Sequence, residues 1–175
     1  MHICFHAAAL LFFLPYCYNM AMLDAHAHIG KLTGNAFVCT AGTEDLDKAR
    51  LFPHWALGAI PEGKQHDMDK LYQAALSGGH VGEIGLDRRY PDMDRQIEVF
   101  RDALEIAKEC GRLAVIHSVR EYGMIYWILS DMRIERFMMH GYTGSEEMAE
   151  RFMRLGGIIS LSPRAERAKS FLKLL

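Results

Sequence analysis

The sequence predicts an α/β fold whose strands form one parallel sheet. Short apolar runs alternate along the chain with segments of helical periodicity, and this alternation is typical of sheets joined by helical crossovers. The runs are apolar on both faces, as expected for strands that are covered on both sides. Half of the 175 residues are hydrophobic and 24% are charged, which indicates one globular domain with a sizeable core.

Seven apolar runs predict seven strands. They span residues 22–28, 35–42, 54–60, 80–87, 113–118, 136–141 and 156–162. Seven successive strands favour a TIM-type (β/α) barrel over an open sheet, but an incomplete one. The link between the first two runs is shorter than the roughly dozen residues of a helical crossover, so the first helix is predicted to be short or absent. No eighth strand precedes Leu175, whereas a typical barrel has about 250 residues.

Helices are predicted between the strands, and their ends can be read from capping residues. A helix over 94–110 ends before Gly111, and another ends before Gly156. The apolar face of the first of these carries Ile97, Phe100, Leu104 and Ala107. Ser145 is predicted to cap the helix that ends before Gly156, and Thr43 and Ser162 are predicted to cap or begin two further helices.

Residues 1–21 are predicted to be an extension outside the fold, and residues 22–175 to form the barrel. The early apolar run is interrupted by Pro15 and is too short to span a bilayer. It lacks the basic start of a signal peptide, so export is the less favoured interpretation. The four cysteines show no CxxC spacing, which favours reduced thiols and a cytoplasmic protein. The net charge of −2 gives no general attraction to nucleic acid or membranes, although a local basic patch is compatible with it.

Four histidines and one glutamate occupy similar positions on the predicted strands. His26 and His28 share one face of the first strand, because residues two apart in a strand point the same way. Glu83 lies in the fourth run, His117 ends the fifth and His140 ends the sixth. The carboxyl ends of parallel strands meet at one end of a barrel, where active sites are found. The five side chains are therefore predicted to meet there.

Imidazole and carboxylate together suit zinc, manganese and similar divalent ions. A carboxylate can also bridge two ions that clamp the oxygens of a phosphoester. Each residue alone is weak evidence, since a single histidine at a strand end is more often a hydrogen-bonded structural residue. The joint pattern carries the hypothesis of a metal centre.

The motifs resemble those of the TatD family of metal-dependent hydrolases, which are amidohydrolase-like TIM barrels and include many deoxyribonucleases. The resemblance runs from Met22 to about Ser162. It rests on the HxH of the first strand, on Gln96 and Phe100, and on the segments "GEIGLD", "VIHSVR" and "HGYTGS".

The resemblance implies a role for each residue of the pattern. His26 and His28 would bind one divalent ion, His117 and His140 a second, and Glu83 would bridge the two, with magnesium, manganese or zinc as candidates. A metal-bound hydroxide would then attack the phosphorus of a DNA phosphodiester. The implied substrate is single-stranded or end-containing DNA, and no membrane partner is implied.

Two departures from the family pattern bear on this expectation. The metal-binding aspartate that follows strand eight in the family would lie beyond Leu175. The chain is therefore expected to be truncated at its C-terminal end, and the His26/His28 half of the site to lack this ligand. The family's Gly-Ile-His-Pro after strand three stands here as Gly58-Ala59-Ile60-Pro61, without the histidine.

Basic and aromatic residues after the strands predict a mouth that binds a phosphate backbone. The substrate-binding candidates are Arg88, Arg120 and Tyr142, and further candidates are Lys31, Arg89, Tyr90, Tyr122, Arg164 and Arg167. Loops are rich in charge in any case, and Asp92, Asp94 and Glu121 lie in the same segments.

Alternative functions stay open at this point. The same ligands serve an amidohydrolase-type enzyme acting on a small amide or ester. A truncated chain is also compatible with an inactive metal-binding remnant, or with self-association in which a neighbour supplies the missing strand. Substitution of Glu83 by alanine is expected to lower both metal content and turnover if the centre is binuclear.

Overall fold

The computed structural model describes residues 24–27, 36–40, 45–61 and 66–161. Within them, seven strands lie side by side in chain order and every neighbouring pair is parallel. The strands are β1 (Asp24–Ala27), β2 (Ala36–Thr40), β3 (His54–Ala59), β4 (His80–Asp87), β5 (Ala114–Val119), β6 (Phe137–Tyr142) and β7 (Ile158–Leu161). This confirms the predicted α/β class and an incomplete TIM-type barrel.

Helices cover the outer face of the sheet. They are α1 (Leu46–Ala49), α2 (Met68–Leu76), α3 (Met93–Glu109), α4 (Tyr122–Met132) and α5 (Glu146–Arg154). Each follows a strand and precedes the next, so every crossover from β2 to β7 contains a helix, as parallel neighbours require. Among the described residues, no helix is long and apolar enough to cross a membrane.

Two apolar layers flank the sheet, because side chains alternate between its faces. The larger layer packs strand residues such as Leu86, Ile116 and Met139 against the helices, with Phe100 and Phe152 from the helix side. A smaller cluster occupies the opposite, interior face of the sheet and consists of Phe37, Cys39, Ala56, Val115 and Met138. The polar residues of β4, β5 and β6 lie next to this interior cluster, toward the carboxyl ends of the strands.

The predicted capping signals are seen where the structure describes them. The Ser145 hydroxyl accepts a hydrogen bond from the backbone N–H of Met148 at 3.2 Å, which satisfies one of the free donors at the start of α5. Gly111 follows α3 with φ +63° and Gly156 follows α5 with φ +95°, the left-handed conformation that ends helices. The short α1 begins at Leu46 after Asp45.

Several predictions fall on residues that the structure leaves undescribed. They concern the extension 1–21, the link 28–35 between β1 and β2, the capping role of Thr43, and the helix after Ser162. Of the four cysteines, Cys39 and Cys110 are described, and they are not joined by a disulfide.

Candidate metal centre

Strand alternation places two of the predicted histidines on the interior face of the sheet. Val115 and Met138 belong to the interior apolar cluster, and His117 and His140 each follow two residues later on β5 and β6. Both histidine side chains are partly buried, with 21% and 23% of their surface exposed. The two imidazoles therefore stand directly above the interior cluster, toward the carboxyl ends of their strands.

Glu83 lies between these two histidines. Its residue surface is 7% exposed, and its two carboxylate oxygens face different rings. One oxygen, Oε1, is 3.6 Å from Nε2 of His140, and the other, Oε2, is 3.9 Å from Nδ1 of His117. A cation at the same place would offset the negative charge of this buried carboxylate.

Glycines allow the backbone of β4 to approach its neighbours closely. A Cβ at Gly58 on β3 would lie 2.5 Å from both the backbone N and the carbonyl O of Glu83. A Cβ at Gly85, where φ is +142°, would collide with the carbonyl oxygen of His117. Only glycine fits at such contacts, and the two positions thereby fix where Glu83 and His117 stand relative to each other.

Asp87, at the end of β4, orients His117. This carboxylate is fully buried, and Nε2 of His117 lies 3.0 Å from its Oδ2. Arg89 donates from its backbone N–H and from its Nε to Oδ1, each at 2.9 Å, and its guanidinium also contacts Oδ2. Burial raises the pKa of Asp87, but the hydrogen bonds from Arg89 and His117 outweigh it and hold the pKa below its usual range.

The charge of Asp87 decides the tautomer of His117. An ionised carboxylate can only accept, so Nε2 of His117 must donate to it. Nδ1, on the side of Glu83, is then left with a lone pair in the neutral ring. Histidines that bind metals commonly donate their second ring N–H to a carboxylate in this way.

Gln96 fixes the backbone from which Asp87 projects. Its side-chain oxygen accepts from the Asp87 N–H at 2.9 Å, and its Nε2 donates to the Asp87 carbonyl at 3.2 Å. The same Nε2 also donates to the carbonyls of Tyr90 and Pro91 at 3.1 and 3.2 Å. This buried side chain ties the first turn of α3 to the end of β4 and holds the carboxylate in place.

The thiol of Cys39 is also close enough to sense the Glu83 charge. Burial, followed by the negative charge of Glu83, raises the pKa of Cys39 well above its ordinary value. The side chain is therefore a protonated thiol at neutral pH. Cys39 belongs to the interior cluster.

The donor chemistry of Glu83, His117 and His140 fits a divalent ion. A carboxylate and two imidazoles are ordinary ligands of zinc and related metals, and the lone pair of His117 Nδ1 faces Glu83. In the described part of the chain, no group of three or more histidine, cysteine, aspartate or glutamate side chains is arranged so that it could hold a metal ion as it stands. Ligands about 2.1 Å from a shared ion lie roughly 3 to 3.5 Å apart, so the 3.6 and 3.9 Å separations would have to shorten slightly.

The other predicted pair of ligands stands mostly outside the described residues. The backbone of His26 belongs to β1, which pairs in parallel with β2. His28 lies outside the described residues, and the structure describes no side chain in β1. The roles of His26 and His28 stay predictions.

The described arginines of the predicted mouth differ in whether they form an ion pair with a carboxylate. Arg88 forms an ion pair with the buried carboxylate of Glu121, and Arg89 with Asp87. Arg120 follows β5 with φ +63° and is exposed. No carboxylate in the described ranges forms an ion pair with Arg120. Lys31, Arg164 and Arg167 lie outside these ranges.

Tyr142 does not lie at the mouth, which corrects the prediction that it stacks on substrate. The residue is fully buried, and its ring packs against Tyr122 at 4.7 Å and Phe152 at 6.3 Å between centroids. Its hydroxyl donates to the Ser145 carbonyl at 2.7 Å, and burial, followed by the nearby Tyr122, raises its pKa. Its ring has no exposed face for a base.

The turn at Gly141 explains the position of Tyr142. Regular alternation would put Tyr142 on the same face as His140, but Gly141 has φ +56° and the β6–β7 register shifts between Met139 and Tyr142. The chain therefore rotates, and Tyr142 enters the layer between sheet and helices.

A model of a known protein family matches most of the chain. The family model described as TatD related DNase matches residues 21–174. The chain belongs to this family. The TatD resemblance inferred from its motifs is therefore confirmed.

Curated relatives of the chain are described as metal-dependent hydrolases. The chain is 32% identical over 108 residues to an uncharacterized metal-dependent hydrolase of Haemophilus influenzae, a match that covers 55% of the chain and 41% of that protein. It is 32% identical over 103 residues to the uncharacterized metal-dependent hydrolase YjjV of Escherichia coli, covering 54% and 40% respectively. The match thus spans about two fifths of the length of these relatives.

Solved structures agree with the fold. The crystal structure of the TatD homologue YjjV from Escherichia coli superposes with a TM-score of 0.63 at 28% identity, over 71% of this chain and 54% of that one. A TatD family hydrolase from Entamoeba histolytica superposes with a TM-score of 0.57 over 71% of this chain and 50% of that one. At 15% identity, the second likeness concerns the fold alone.

Two residues of the site were not predicted from the sequence. Asp87 is the last residue of the segment "GEIGLD", and its spacing of four from Glu83 is the signal that places both residues on one face of a regular strand. Gly58 was seen only as part of a departure from the family pattern. Its close approach to Glu83 depends on the packing of β3 against β4, for which the sequence carries no local signal.

Proposed function

We propose that the chain is a divalent-metal-dependent hydrolase of the TatD type that cleaves phosphodiester bonds of DNA at a binuclear centre. The observation that carries the proposal is the position of the Glu83 carboxylate between the imidazoles of His117 and His140. Membership of the TatD-related DNase family supports the same reaction class. The reduced state expected for its cysteines supports a cytoplasmic enzyme.

Each described residue has a distinct part in this proposal. Glu83 and His140 supply an oxygen and a nitrogen ligand, and His117 supplies Nδ1 while Asp87 holds the proton on its Nε2. Divalent metal at this place would activate water and offset the negative charge of a phosphodiester. Buried surroundings keep these charges in a low dielectric, where they act more strongly than in water.

Arg120 is proposed to bind the phosphate backbone next to the reacting one. It is exposed after β5, three residues from His117, and no described carboxylate neutralises it. Arg88 is held by Glu121, so it would contribute less field to a passing strand. A contact of this kind supplies binding that weakens as salt rises.

The experiment is a cleavage assay on a labelled single-stranded oligonucleotide with the purified full chain. We expect cleavage after addition of magnesium, manganese or zinc, loss of cleavage in chelator, and recovery on adding the metal back. The variant Glu83→Gln should be inactive while Glu98→Gln, an exposed carboxylate on α3 that pairs with Arg95, should remain active. Equal cleavage by both variants would point to a contaminating nuclease and contradict the proposal.

A panel of acylated amides and esters separates DNA cleavage from the amidohydrolase alternative. We expect no metal-dependent turnover of this panel. Turnover that Glu83→Gln abolishes, in a preparation without oligonucleotide cleavage, would replace the nuclease proposal by the alternative.

A further inference from the structure

A basic pocket lies at the opposite end of the sheet from the candidate metal centre. It has a volume of about 180 Å³ and lies where α3 and α4 end and β5 and β6 begin. Four cationic side chains line it against one carboxylate, that of Glu135. The four are Lys108, Arg112, Arg133 and Arg136.

Backbone carbonyls hold three of these cations without neutralising them. Lys108 donates to the Met132 carbonyl, and Arg136 to the Gly111 carbonyl, both at 2.8 Å. Arg112 likewise donates from its Nε to the carbonyl of Ala75, at 2.8 Å. These acceptors lie at or just beyond the C-terminal ends of α4, α3 and α2, where carbonyls lack intrahelical partners.

The hydrogen bonds to carbonyls leave donors available. An arginine has five N–H groups, and Arg112 and Arg136 each use one in the described hydrogen bonds. Among the described residues, no carboxylate forms an ion pair with any of the four cations. Lys108, Arg112 and Arg136 are thus held in place by carbonyls at helix C-terminal ends, which offset their charge only in part. Ammonium and guanidinium groups with donors to spare are the groups that bind phosphate.

A neighbouring histidine reports the positive field. His80, at the start of β4, accepts a hydrogen bond from the Leu113 N–H at its Nδ1. Burial first, then the charges of Arg112, His54 and Arg136, lower the pKa of His80 to about 4. The field of the pocket therefore reaches the interior of the sheet.

The pocket adjoins a wider groove. Arg133, Ile134 and Glu135 line both, and the groove adds about 390 Å³ bordered by Ser130, Arg154 and Gly156. The smaller space is large enough for a phosphate group, and the larger space has room for an organic remainder. A duplex, by contrast, is far too wide for the smaller cavity.

We infer that this pocket binds the phosphate group of a small phosphate monoester, such as a nucleoside monophosphate, at a site separate from the metal centre. Glu135, at the junction with the groove, would favour a ligand that presents its phosphate to the pocket and its uncharged part to the groove. The inference rests on the pocket alone and holds whether or not the chain cleaves DNA.

The test is calorimetric titration of the full chain, in chelator, with inorganic phosphate and with deoxyadenosine monophosphate. We expect saturable binding of both at one site, with the monoester tighter because it also fills the groove. Arg136→Gln and Arg133→Asn should each weaken binding at least tenfold. Asparagine is chosen at position 133 because φ is +55° there and asparagine tolerates that conformation.

Two control variants remove one positive charge elsewhere. Arg120→Gln lies at the carboxyl end of the sheet, and Arg101→Gln removes an exposed arginine that pairs with Asp131 at 3.0 Å. Arg101→Gln should bind the two ligands as the unmodified chain does, whereas Arg120→Gln shows at which end of the sheet the phosphate binds. Weakening by Arg120→Gln equal to that by Arg136→Gln would assign the phosphate to the metal-centre end and overturn the inference.

Three further outcomes also contradict the inference. They are the absence of saturable binding at millimolar phosphate and monoester, unchanged binding in Arg136→Gln and Arg133→Asn, and binding of a single-stranded oligonucleotide without binding of either small ligand. Circular dichroism of each variant shows whether it is folded. Failure of one pocket variant to fold leaves the other to decide.

Discussion

Nε2 of His117 lies 3.0 Å from Oδ2 of the buried Asp87, and this contact sets the orientation and tautomer of a candidate metal ligand. Asp87 is itself held by Arg89 and, through its backbone, by Gln96. A chain of hydrogen bonds from α3 to β4 to β5 therefore ends at Nε2 of His117. It orients the other ring nitrogen, Nδ1, toward Glu83. The segment "GEIGLD" thus supplies both the carboxylate of Glu83 and the carboxylate that orients His117.

Substituting Asp87 by asparagine should weaken metal binding while leaving the fold intact. The amide keeps the size of the side chain but removes the charge that requires Nε2 of His117 to donate. Loss of such an outer partner typically costs 10- to 100-fold in metal affinity. Titration with zinc against a competing chelator measures this, with Asp131→Asn, an exposed carboxylate paired with Arg101, as the control. Equal affinity in both variants would show that Asp87 does not position the ligand.

A methyl group at position 58 should disturb the candidate metal centre through the backbone of Glu83. In Gly58→Ala the new Cβ meets backbone atoms of Glu83 at 2.5 Å, so β3 or β4 must move. Overpacking of this kind costs about 1–3 kcal/mol of stability, and we expect metal affinity to fall as well. Urea unfolding and metal titration together measure the two effects.

Gly123→Ala is the matched control for that variant. Its Cβ would meet nothing within 4 Å, and Gly123 lies in α4, where alanine is the better helix former by up to about 1 kcal/mol. We therefore expect unchanged or slightly higher stability and unchanged metal affinity. Equal destabilisation by both substitutions would argue against the close approach of Gly58 to Glu83.

His80 should make the protein less stable in mild acid. Its pKa is lowered to about 4 in the folded chain, chiefly by burial, and is about 6.5 when unfolded. Between these values the unfolded state binds the proton and the folded state does not, so stability is present above pH 6.5 and is lost as the pH falls toward 4. The loss reaches at most about 3 kcal/mol.

Unfolding curves at a series of pH values measure this effect. The variant His80→Gln has no group that titrates at this position, so its free energy of unfolding should fall less steeply between pH 6.5 and 4. Parallel slopes for the variant and the unmodified chain would assign the acid sensitivity to other groups.

Tyr142→Phe should affect stability and not substrate binding. The substitution removes the hydrogen bond from the buried hydroxyl to the Ser145 carbonyl, which is worth about 1 kcal/mol. Oligonucleotide affinity should be unchanged, because the ring lies between sheet and helices. Tyr72→Phe, on the exposed side of α2, serves as the control. Weaker oligonucleotide binding in Tyr142→Phe at unchanged stability would restore the predicted role at the mouth.

The sequence predicts well what depends on chain periodicity. The order of the seven parallel strands follows from the alternation of apolar runs and helices. His117 and His140 lie at the same height on neighbouring strands, because each follows an interior residue, Val115 or Met138, by two positions. Tyr142 was misplaced because one residue, Gly141, adopts a left-handed conformation and breaks the alternation. The Gly58 contact and the Asp87–His117 hydrogen bond depend on how strands pack side by side, which local patterns do not encode.

The measurement that tests the account most directly is the metal content of the folded chain, by elemental analysis of the size-exclusion peak. We expect bound divalent metal, about two ions per chain for a binuclear centre, and its loss in Glu83→Ala with the circular dichroism spectrum unchanged. Glu98→Ala should retain the metal. A folded, metal-free chain, or full metal content in Glu83→Ala, would contradict the claim that Glu83, His117 and His140 form a metal centre.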